Sequence, residues 1–344
     1  MQHRIYIISD TELGRGDIMD DFNDDETLIK FIGQVSLKPS EQNRANVHLV
    51  FNGDNFDYLK MAYDGTYPRV ITEEISLWKT GEIFRSHPRV FNTLEKFLEN
   101  PSHHLTFVIG NHDPDLAWPS VQQAFRDKLH NHHRLHFAFS FDYKDIHAEH
   151  GNLLDTFFYF NVKKPIITYR RKRILNLPWG SRIVFSHLIK IKENFPNEEK
   201  IQPITSYIKH HPELKKFFRK TMADLILKKF FIHPTLLFFD PTYRAPQFKI
   251  LKEIFKKKFK TVSFDQFSKT EFNKLIRQNP DAKIICLGHS HKLAEVNYKN
   301  RLFMITDTWR NEIEFDTMKK KDKSFAEIIY NEENLVSAGL KKFK

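Results

Sequence analysis

The chain has 344 residues, of which 40% are hydrophobic, 28% charged and 14% aromatic, values typical of an ordinary globular protein. Its single cysteine, Cys286, excludes internal disulfides, and its position in an apolar run predicts a buried, inert thiol. No stretch approaches the roughly 20 uncharged apolar residues of a membrane-spanning helix. The composition therefore excludes a disulfide-rich or membrane-spanning protein and fits a reducing compartment.

The net charge of +11 is unevenly distributed along the chain. Residues 163–260 contain 24 Lys and Arg but only 7 Asp and Glu, a net of +17. The rest of the chain has 30 Lys and Arg and 36 Asp and Glu, a net of −6. This asymmetry indicates an anionic partner for the basic segment, which could be a phospholipid surface, a nucleic acid or an acidic substrate.

Short apolar runs predict a series of buried strands. In chain order they span residues 4–9, 48–52, 105–110, 182–186, 283–288 and 302–306. Helix-like stretches near 24–37, 88–99 and 119–130 alternate with the early strands. The alternation predicts an α/β fold with at least one mixed or parallel sheet, in which ligands bind beyond the carboxyl ends of the strands.

The basic middle of the chain follows a helical pattern. Residues 213–231 place apolar side chains on one helical face and lysines on the opposite one, and residues 247–260 repeat this pattern. Such a face is either the packed side of a buried helix or the apolar side of a helix on a membrane surface. The residues predicted to bind a membrane or another anion are Lys215, Lys216, Arg219, Lys220, Lys228 and Lys229.

These patterns predict the domain organisation. We expect an α/β body over residues 1–315, interrupted by a basic, mostly helical insertion over 153–280. Residues 316–344 are predicted to form a peripheral C-terminal tail, with an edge strand at 324–330.

Residues of the kinds that bind metals follow the predicted strands in five clusters. In chain order these are Asp10-Thr11-Glu12, Gly53-Asp54-Asn55-Phe56-Asp57, Gly110-Asn111-His112-Asp113, His150-Gly151-Asn152 and Gly288-His289-Ser290-His291. Four of the 11 glycines lie in these clusters, where glycine lets the chain turn sharply off a strand and approach a ligand closely. Each cluster alone is a weak signal, because such residues are also common in capped loops.

The ordered set D-x-[H/E], GDxxD, GNHD, HGN and GHxH resembles the calcineurin-like metallophosphoesterase superfamily, and it extends from residue 10 to residue 291. The resemblance implies a β-sandwich of two mixed sheets flanked by helices. It also implies a phosphatase or phosphodiesterase that depends on two divalent metal ions. Mn²⁺ is the expected metal, with Mg²⁺, Fe and Zn²⁺ as alternatives.

The resemblance further implies roles for individual residues. The implied ligands are Asp10, Glu12, Asp54 and His291 at a first metal position and Asp54, Asn111, His150 and His289 at a second. A bridging carboxylate such as Asp54 can hold two cations about 3.5–4 Å apart, where they clamp a phosphate and generate the hydroxide that attacks phosphorus. His112 would protonate the leaving oxygen or stabilise charge on the phosphoryl group, and Asp113 would orient the His112 ring.

Glu12 departs from the family pattern, which usually has histidine at this place. A glutamate ligand would make the first metal position harder and more negative, favouring Mn²⁺ or Mg²⁺ over zinc. Alternatively, the carboxylate does not reach the ion properly, and the first position is weak or empty.

Among relatives, the motif arrangement most resembles the bacterial branch that contains UDP-2,3-diacylglucosamine hydrolases (pyrophosphatases). That resemblance implies a lipid-linked phosphorylated substrate and a cytoplasmic protein held peripherally on the inner face of an anionic membrane. Two alternatives stay open: a nuclease or nucleotide phosphodiesterase, whose insertion would neutralise nucleic-acid phosphates, and a non-catalytic scaffold of the same fold. The sequence does not predict protein partners.

Overall fold

The computed structural model describes residues 1–36, 45–130, 133–183, 187–227 and 267–343. The first part of the chain contains β1 (Gln2–Ile8), α1 (Asp25–Val35), β2 (Ala45–Asn52), α2 (Glu73–Ser86), α3 (Pro88–Glu99), β3 (His103–Val108), α4 (Pro119–Lys128), β4 (Leu135–Ala138), β5 (Phe141–Tyr143) and β6 (Ile146–Glu149). The middle part contains β7 (Ile166–Tyr169), β8 (Lys172–Leu175), α5 (Trp179–Ile183), α6 (Ile189–Asn194), β9 (Ile201–Gln202), α7 (Ile204–His210) and α8 (Pro212–Leu227). The last part contains α9 (Lys269–Gln278), β10 (Ile284–Leu287), β11 (Ala294–Tyr298), β12 (Arg301–Ile305), β13 (Ile313–Glu314), β14 (Lys323–Asn331) and β15 (Asn334–Phe343).

Two mixed sheets form the body of the protein. The first has the strand order β15-β14-β1-β2-β3-β4, in which β1 to β4 are parallel and β14 and β15 are antiparallel to their neighbours. The second has the order β11-β12-β10-β6-β5, with β6, β10 and β12 parallel. The predicted α/β fold with mixed sheets flanked by helices is confirmed.

The alternation of side chains along β1 shows how the layers pack. Ile5 and Ile7 lie between the two sheets, in a core that also contains Cys286. Tyr6 and Ile8 point to the opposite face, into the core formed with helices α1, α3 and α4. The Cys286 thiol is fully buried, as predicted, and burial raises its pKa above its usual range.

The predicted helices near 24–37, 88–99 and 119–130 form as α1, α3 and α4. Asp24 caps α1 by accepting a hydrogen bond from the Thr27 amide, and Pro88 occupies the first turn of α3. On the far side of the second sheet, α9 places Phe272 against Phe303, with the ring centroids 4.2 Å apart. The two sheets are therefore enclosed between layers of helix.

Two predictions about strands were wrong. Residues 182–183, the described part of the strand predicted at 182–186, belong to helix α5. The strand predicted at 324–330 forms as β14, but it lies inside the first sheet because β15 continues the sheet beyond it.

The insertion predicted over 153–280 is described only in part. Its described part contains the helices α5 to α9, the β7–β8 hairpin and strand β9, and its predicted bounds stay a prediction. The helix predicted over 247–260, and the residues Lys228 and Lys229, lie outside the described residues. No helix in the described ranges is long and apolar enough to cross a membrane.

Candidate metal centre

The predicted metal-binding residues lie at the carboxyl ends of strands in both sheets. They follow β1 (Asp10), β2 (Asp54), β3 (Asn111), β6 (His150) and β10 (His289). Because β1, β2 and β3 are parallel, and β6 and β10 are parallel in the facing sheet, these ends meet at one edge of the sandwich. Backbone hydrogen bonds join the loops, including Asp10 N to Gly53 O at 3.0 Å and Gly288 N to His150 O at 2.9 Å.

Five of the predicted ligands have a left-handed backbone conformation. They are Asp10, Glu12, Asp54, His289 and His291, with φ between 48° and 67°. Residues other than glycine rarely adopt this conformation, which costs on the order of 1–3 kcal/mol each and is concentrated at functional sites. Fourteen described residues other than glycine have a positive φ, and these five predicted ligands are among them.

Two glycines allow the close packing around Asp54. A Cβ atom on Gly110 would overlap the Asp54 carboxylate, and one on Gly53 would overlap the His150 ring. Gly53 also has a φ of +87°, which side-chain-bearing residues adopt only with strain. These positions require glycine if Asp54 and His150 are to converge.

The atoms of the second metal position converge without satisfying one another. Ligand atoms of Asp54, His150 and His289 lie within 4.8 Å of one another. His150 Nε2 lies 3.0 Å from Asp54 Oδ2, but not with the geometry of a hydrogen bond. Asn111 Oδ1 is also buried without a hydrogen-bond partner among the described residues. Buried polar atoms normally have partners, so this donor set fits a divalent cation.

Charge interactions between the converging side chains shift their pKa values. Burial alone would raise the pKa of Asp54, but His150 and His112 beside it lower that pKa well below its usual range. Burial lowers the pKa of His150, whereas Asp54 and Asp10 more than compensate and raise it to about 9. The charged imidazoles and carboxylates of the site therefore stabilise one another.

The first metal position is arranged differently. His291 Nε2 lies 3.2 Å from Asp10 Oδ1 and 3.9 Å from Glu12 Oε1, so the three side chains come together as predicted. The Glu12 carboxylate, however, also forms ion pairs with Lys60 at 3.2 Å and Arg310 at 3.3 Å. Whether Glu12 ligates a metal stays a prediction.

His112 lies beside both carboxylates of the GDxxD motif. Its Nδ1 atom lies 3.1 Å from Asp57 Oδ1, and its Nε2 atom lies 4.0 Å from Asp54 Oδ2. Burial lowers the pKa of His112, but Asp54, Glu12 and Asp57 raise it to about 10. The ring therefore holds a proton at neutral pH.

Asp113 does not orient the His112 ring, and this expectation was wrong. Its carboxylate accepts hydrogen bonds from Gly110 N at 2.6 Å, from Asn55 N at 2.7 Å and from Asn55 Nδ2 at 2.8 Å. Asp113 thus fastens the loop after β3 to the loop after β2, while Asp57 holds the imidazole. Burial and the neighbouring Asp54 raise the pKa of Asp113 to about 7.

Sequence reasoning missed the charged residues around the ligands. Glu312 Oε1 lies 3.2 Å from His291 Nδ1, and Asp155 Oδ2 lies 3.6 Å from His289 Nε2. Such partners orient ligating imidazoles. Glu312 and Arg310 follow β12, so the rule that ligand residues lie at strand ends could have found them. Lys60 lies in the loop after the GDxxD motif, and no sequence pattern indicated that it would lie near the metal ligands.

Comparison with known proteins identifies the class. Residues 3–293 match the family of calcineurin-like phosphoesterases, and the chain belongs to that family. It is therefore a metal-dependent hydrolase of phosphate esters, as predicted. The family implies a site for two divalent metals. Two groups of side chains among the described residues have ligand atoms close enough to hold an ion, Asp54 with His150 and His289, and Glu12 with Asp57 and His112.

The solved structures that match the chain are distant in sequence and have low TM-scores. A Streptococcus pneumoniae protein described as a predicted phosphoesterase shares 9% identity, covering 100% of this chain and 98% of its own, with a TM-score of 0.30. Vps29 of Chaetomium thermophilum shares 10%, covering 99% and 95%, with a TM-score of 0.32. A cold-active protein-tyrosine phosphatase of a Shewanella species shares 10%, covering 99% and 80%, with a TM-score of 0.29. No curated protein sequence matches the chain.

Proposed function

We propose that this phosphoesterase hydrolyses a phosphate ester or pyrophosphate bond of a lipid-linked substrate at an anionic membrane surface. The observation that supports the chemistry is the convergence of Asp54, Asn111, His150 and His289 beside the protonated His112. The exposed basic side chains of the insertion support a location at an anionic membrane surface.

The proposed metal ligands are those implied by the motifs. The first position would use Asp10, Glu12, Asp54 and His291, and the second Asp54, Asn111, His150 and His289. When bound, two divalent cations would supply positive charge for the phosphate and an activated water. We propose Mn²⁺, because the ligands are oxygen and imidazole donors without a thiolate.

We propose that His112 assists the departure of the leaving group. Its Nδ1 atom faces Asp57, so its Nε2 atom is directed toward the Asp54 side of the site. A proton held at Nε2 could pass to the leaving oxygen or stabilise charge on the phosphoryl group. Asp57 would fix the ring orientation that this transfer needs.

An aromatic wall beside the second metal position supports an organic substituent on the phosphate. The rings of Phe158 and His289 meet edge to face, with centroids 5.3 Å apart, and Phe157 lies 5.5 Å from Trp179. Both phenylalanines are only partly buried. An apolar surface next to the metals suits an acylated substrate of the kind that the UDP-2,3-diacylglucosamine hydrolase branch uses.

Helix α8 supports docking by charge. Leu214 is buried, and Phe217 contacts Phe195 with ring centroids 6.0 Å apart, so the apolar face is engaged within the insertion over this part of the helix. The basic residues of the same turns are exposed, namely Lys215, Lys216, Arg219 and Lys220. An anionic lipid surface would therefore attract this face electrostatically.

Turnover measurements test the proposal. With added Mn²⁺, the protein should cleave an aryl phosphodiester or monoester, and a lipid pyrophosphate in anionic vesicles should be cleaved faster than a soluble analogue. Asp54→Asn should abolish both activities, whereas Asp316→Asn, at an exposed position, should retain them. Unchanged turnover and metal content in Asp54→Asn would overturn the proposal. Preferential, steeply salt-dependent cleavage of DNA or RNA would replace the lipid substrate with a nucleic acid.

A further inference from the structure

The β7–β8 hairpin carries a second basic surface, which differs chemically from that of helix α8. Residues 161–173 contain six Lys and Arg and no Asp or Glu. Four of these basic residues follow one another at the tip of the hairpin and are exposed, namely Arg170, Arg171, Lys172 and Arg173. The described part of α8 exposes three lysines and one arginine, whereas the tip exposes three arginines and one lysine. The docking proposed for α8 does not use this arginine-rich tip.

Arg170 and Arg171 are the two central residues of the hairpin turn. The antiparallel ladder ends at the pair formed by Tyr169 and Lys172, and the two arginines have φ angles of 45° and 64°. Positive φ at both central residues is characteristic of a type I′ turn, whose backbone continues the twist of the two strands. Both arginines therefore lie at the outermost point of a regular two-stranded ribbon.

The base of the hairpin is fastened to the rest of the protein. Leu175 on β8 is buried, and its amide donates a hydrogen bond to the Ile71 carbonyl at 2.9 Å. The Arg173 guanidinium lies 5.2 Å from the ring centroid of the fully buried Trp118. Such a cation–π contact holds the guanidinium in place without neutralising its charge. The tip is therefore presented from a fixed base.

The charges of the tip are not neutralised by carboxylates of the protein. Within the described ranges, none of the four basic residues from 170 to 173 forms an ion pair. Neighbouring like charges repel one another, so the tip favours a ligand that concentrates negative charge at one point. A phosphomonoester carries about 1.5–2 negative charges at neutral pH and has three strong acceptor oxygens. The guanidinium fork binds such oxygens in pairs, which the lysine ammonium cannot do.

We propose that the tip of the β7–β8 hairpin recognises a phosphomonoester headgroup of the lipid surface on which the protein docks. This inference rests on the proposed function for the membrane itself and adds selectivity for one headgroup chemistry. A two-residue turn concentrates its charges at one point, which matches a single headgroup, whereas a nucleic acid presents a long run of phosphates. The lysines of α8 respond to negative charge in general, and the arginines of the tip respond to the phosphomonoester.

Binding of the full chain to two kinds of vesicle tests the proposal. One contains phosphatidic acid, whose headgroup is a phosphomonoester, and the other phosphatidylserine, whose phosphate is a diester, at matched surface charge. The wild type should bind the phosphatidic acid vesicles at least about fivefold more tightly. Replacing Arg170 and Arg171 together with lysine should abolish this preference, because the charge is kept and the guanidinium fork is lost.

Two further variants separate the tip from its surroundings. Arg170→Asn combined with Arg171→Gly suits the same type I′ turn but removes both charges, so it should also abolish the preference. Lys163→Gln combined with Lys164→Gln is the matched control, since both lysines are exposed but lie outside the tip. This control should keep the preference for phosphatidic acid.

The outcomes distinguish this inference from the proposed function. Equal binding of the wild type to the two vesicles, or a preference that persists in both tip variants, would overturn headgroup recognition alone. Tighter binding to double-stranded DNA or to inorganic phosphate, lost in the tip variants, would assign the tip to a soluble ligand and overturn the inference. Failure to bind either vesicle would overturn the membrane location in the proposed function together with it.

Discussion

His112 Nδ1 lies 3.1 Å from Asp57 Oδ1, so the imidazole is oriented by the second aspartate of the GDxxD motif. Burial would raise the pKa of Asp57, but Lys60 and His112 lower it to about 2. Asp57 is thus an anion at neutral pH and can both orient the ring and stabilise its proton.

Asp57→Asn should lower kcat by about 10- to 100-fold, because the His112 ring loses its orienting anion. The metal ligands are untouched, so the Mn²⁺ content should stay at the wild-type level. Since Asp57 raises the pKa of His112, its removal should also move the alkaline limb of the kcat profile to lower pH. An unchanged pH profile with a lower rate would indicate a merely structural role for Asp57.

Replacing Lys215, Lys216, Arg219 and Lys220 together with glutamine should weaken binding to phosphatidylserine vesicles by at least about tenfold, since each basic residue near the surface contributes about 1 kcal/mol. Raising the salt concentration should weaken wild-type binding in the same direction. Vesicle sedimentation provides the measurement. The control carries glutamine at exposed lysines outside the insertion, Lys30, Lys96, Lys283 and Lys319. Salt-insensitive binding would contradict docking by charge.

His48 on β2 should make the protein acid-sensitive. Its ring lies 5.5 Å from that of His104, and burial together with His104 and His136 lowers its pKa from 6.5 to about 3. Between these values the unfolded chain binds a proton that the folded chain does not, so stability falls as the pH decreases. Near pH 5 the loss should be about 2 kcal/mol relative to neutral pH.

His48→Gln tests this explanation, because glutamine can still bond to Thr106, whose hydroxyl lies 2.7 Å from His48 Nε2. The variant should lose about 2 kcal/mol less than the wild type between neutral pH and about pH 5, measured by urea unfolding. Equal losses in the two proteins would mean that other groups cause the acid sensitivity.

The sequence predicted the parts of the site that depend on strand ends. Asp10, Asp54, Asn111 and His289 each follow an apolar run, and parallel pairing brings such ends together. It did not predict that Asp57 rather than Asp113 reaches His112, because that choice depends on how the loops fold against each other. Motif order carries no information about such side-chain directions.

Other features escaped prediction for related reasons. Helix α2 buries a mixture of residues that includes Ser76 and Lys79, so its apolar periodicity is weak. The run at 182–186 is too short for its pattern to distinguish a strand from a helical turn, and its described residues, 182–183, are helical. Lys60 and Arg310 are distant in sequence and meet at Glu12 only through the tertiary fold.

The metal centre itself can be tested by crystallography of the Mn²⁺-soaked protein, with an anomalous difference map measured at the manganese absorption edge. We predict a strong peak bounded by Asp54, Asn111, His150 and His289, and a second one beside Asp10 and His291. The absence of a peak within coordination distance of Asp54, despite saturating Mn²⁺, would contradict the assignment of this site as the catalytic metal centre.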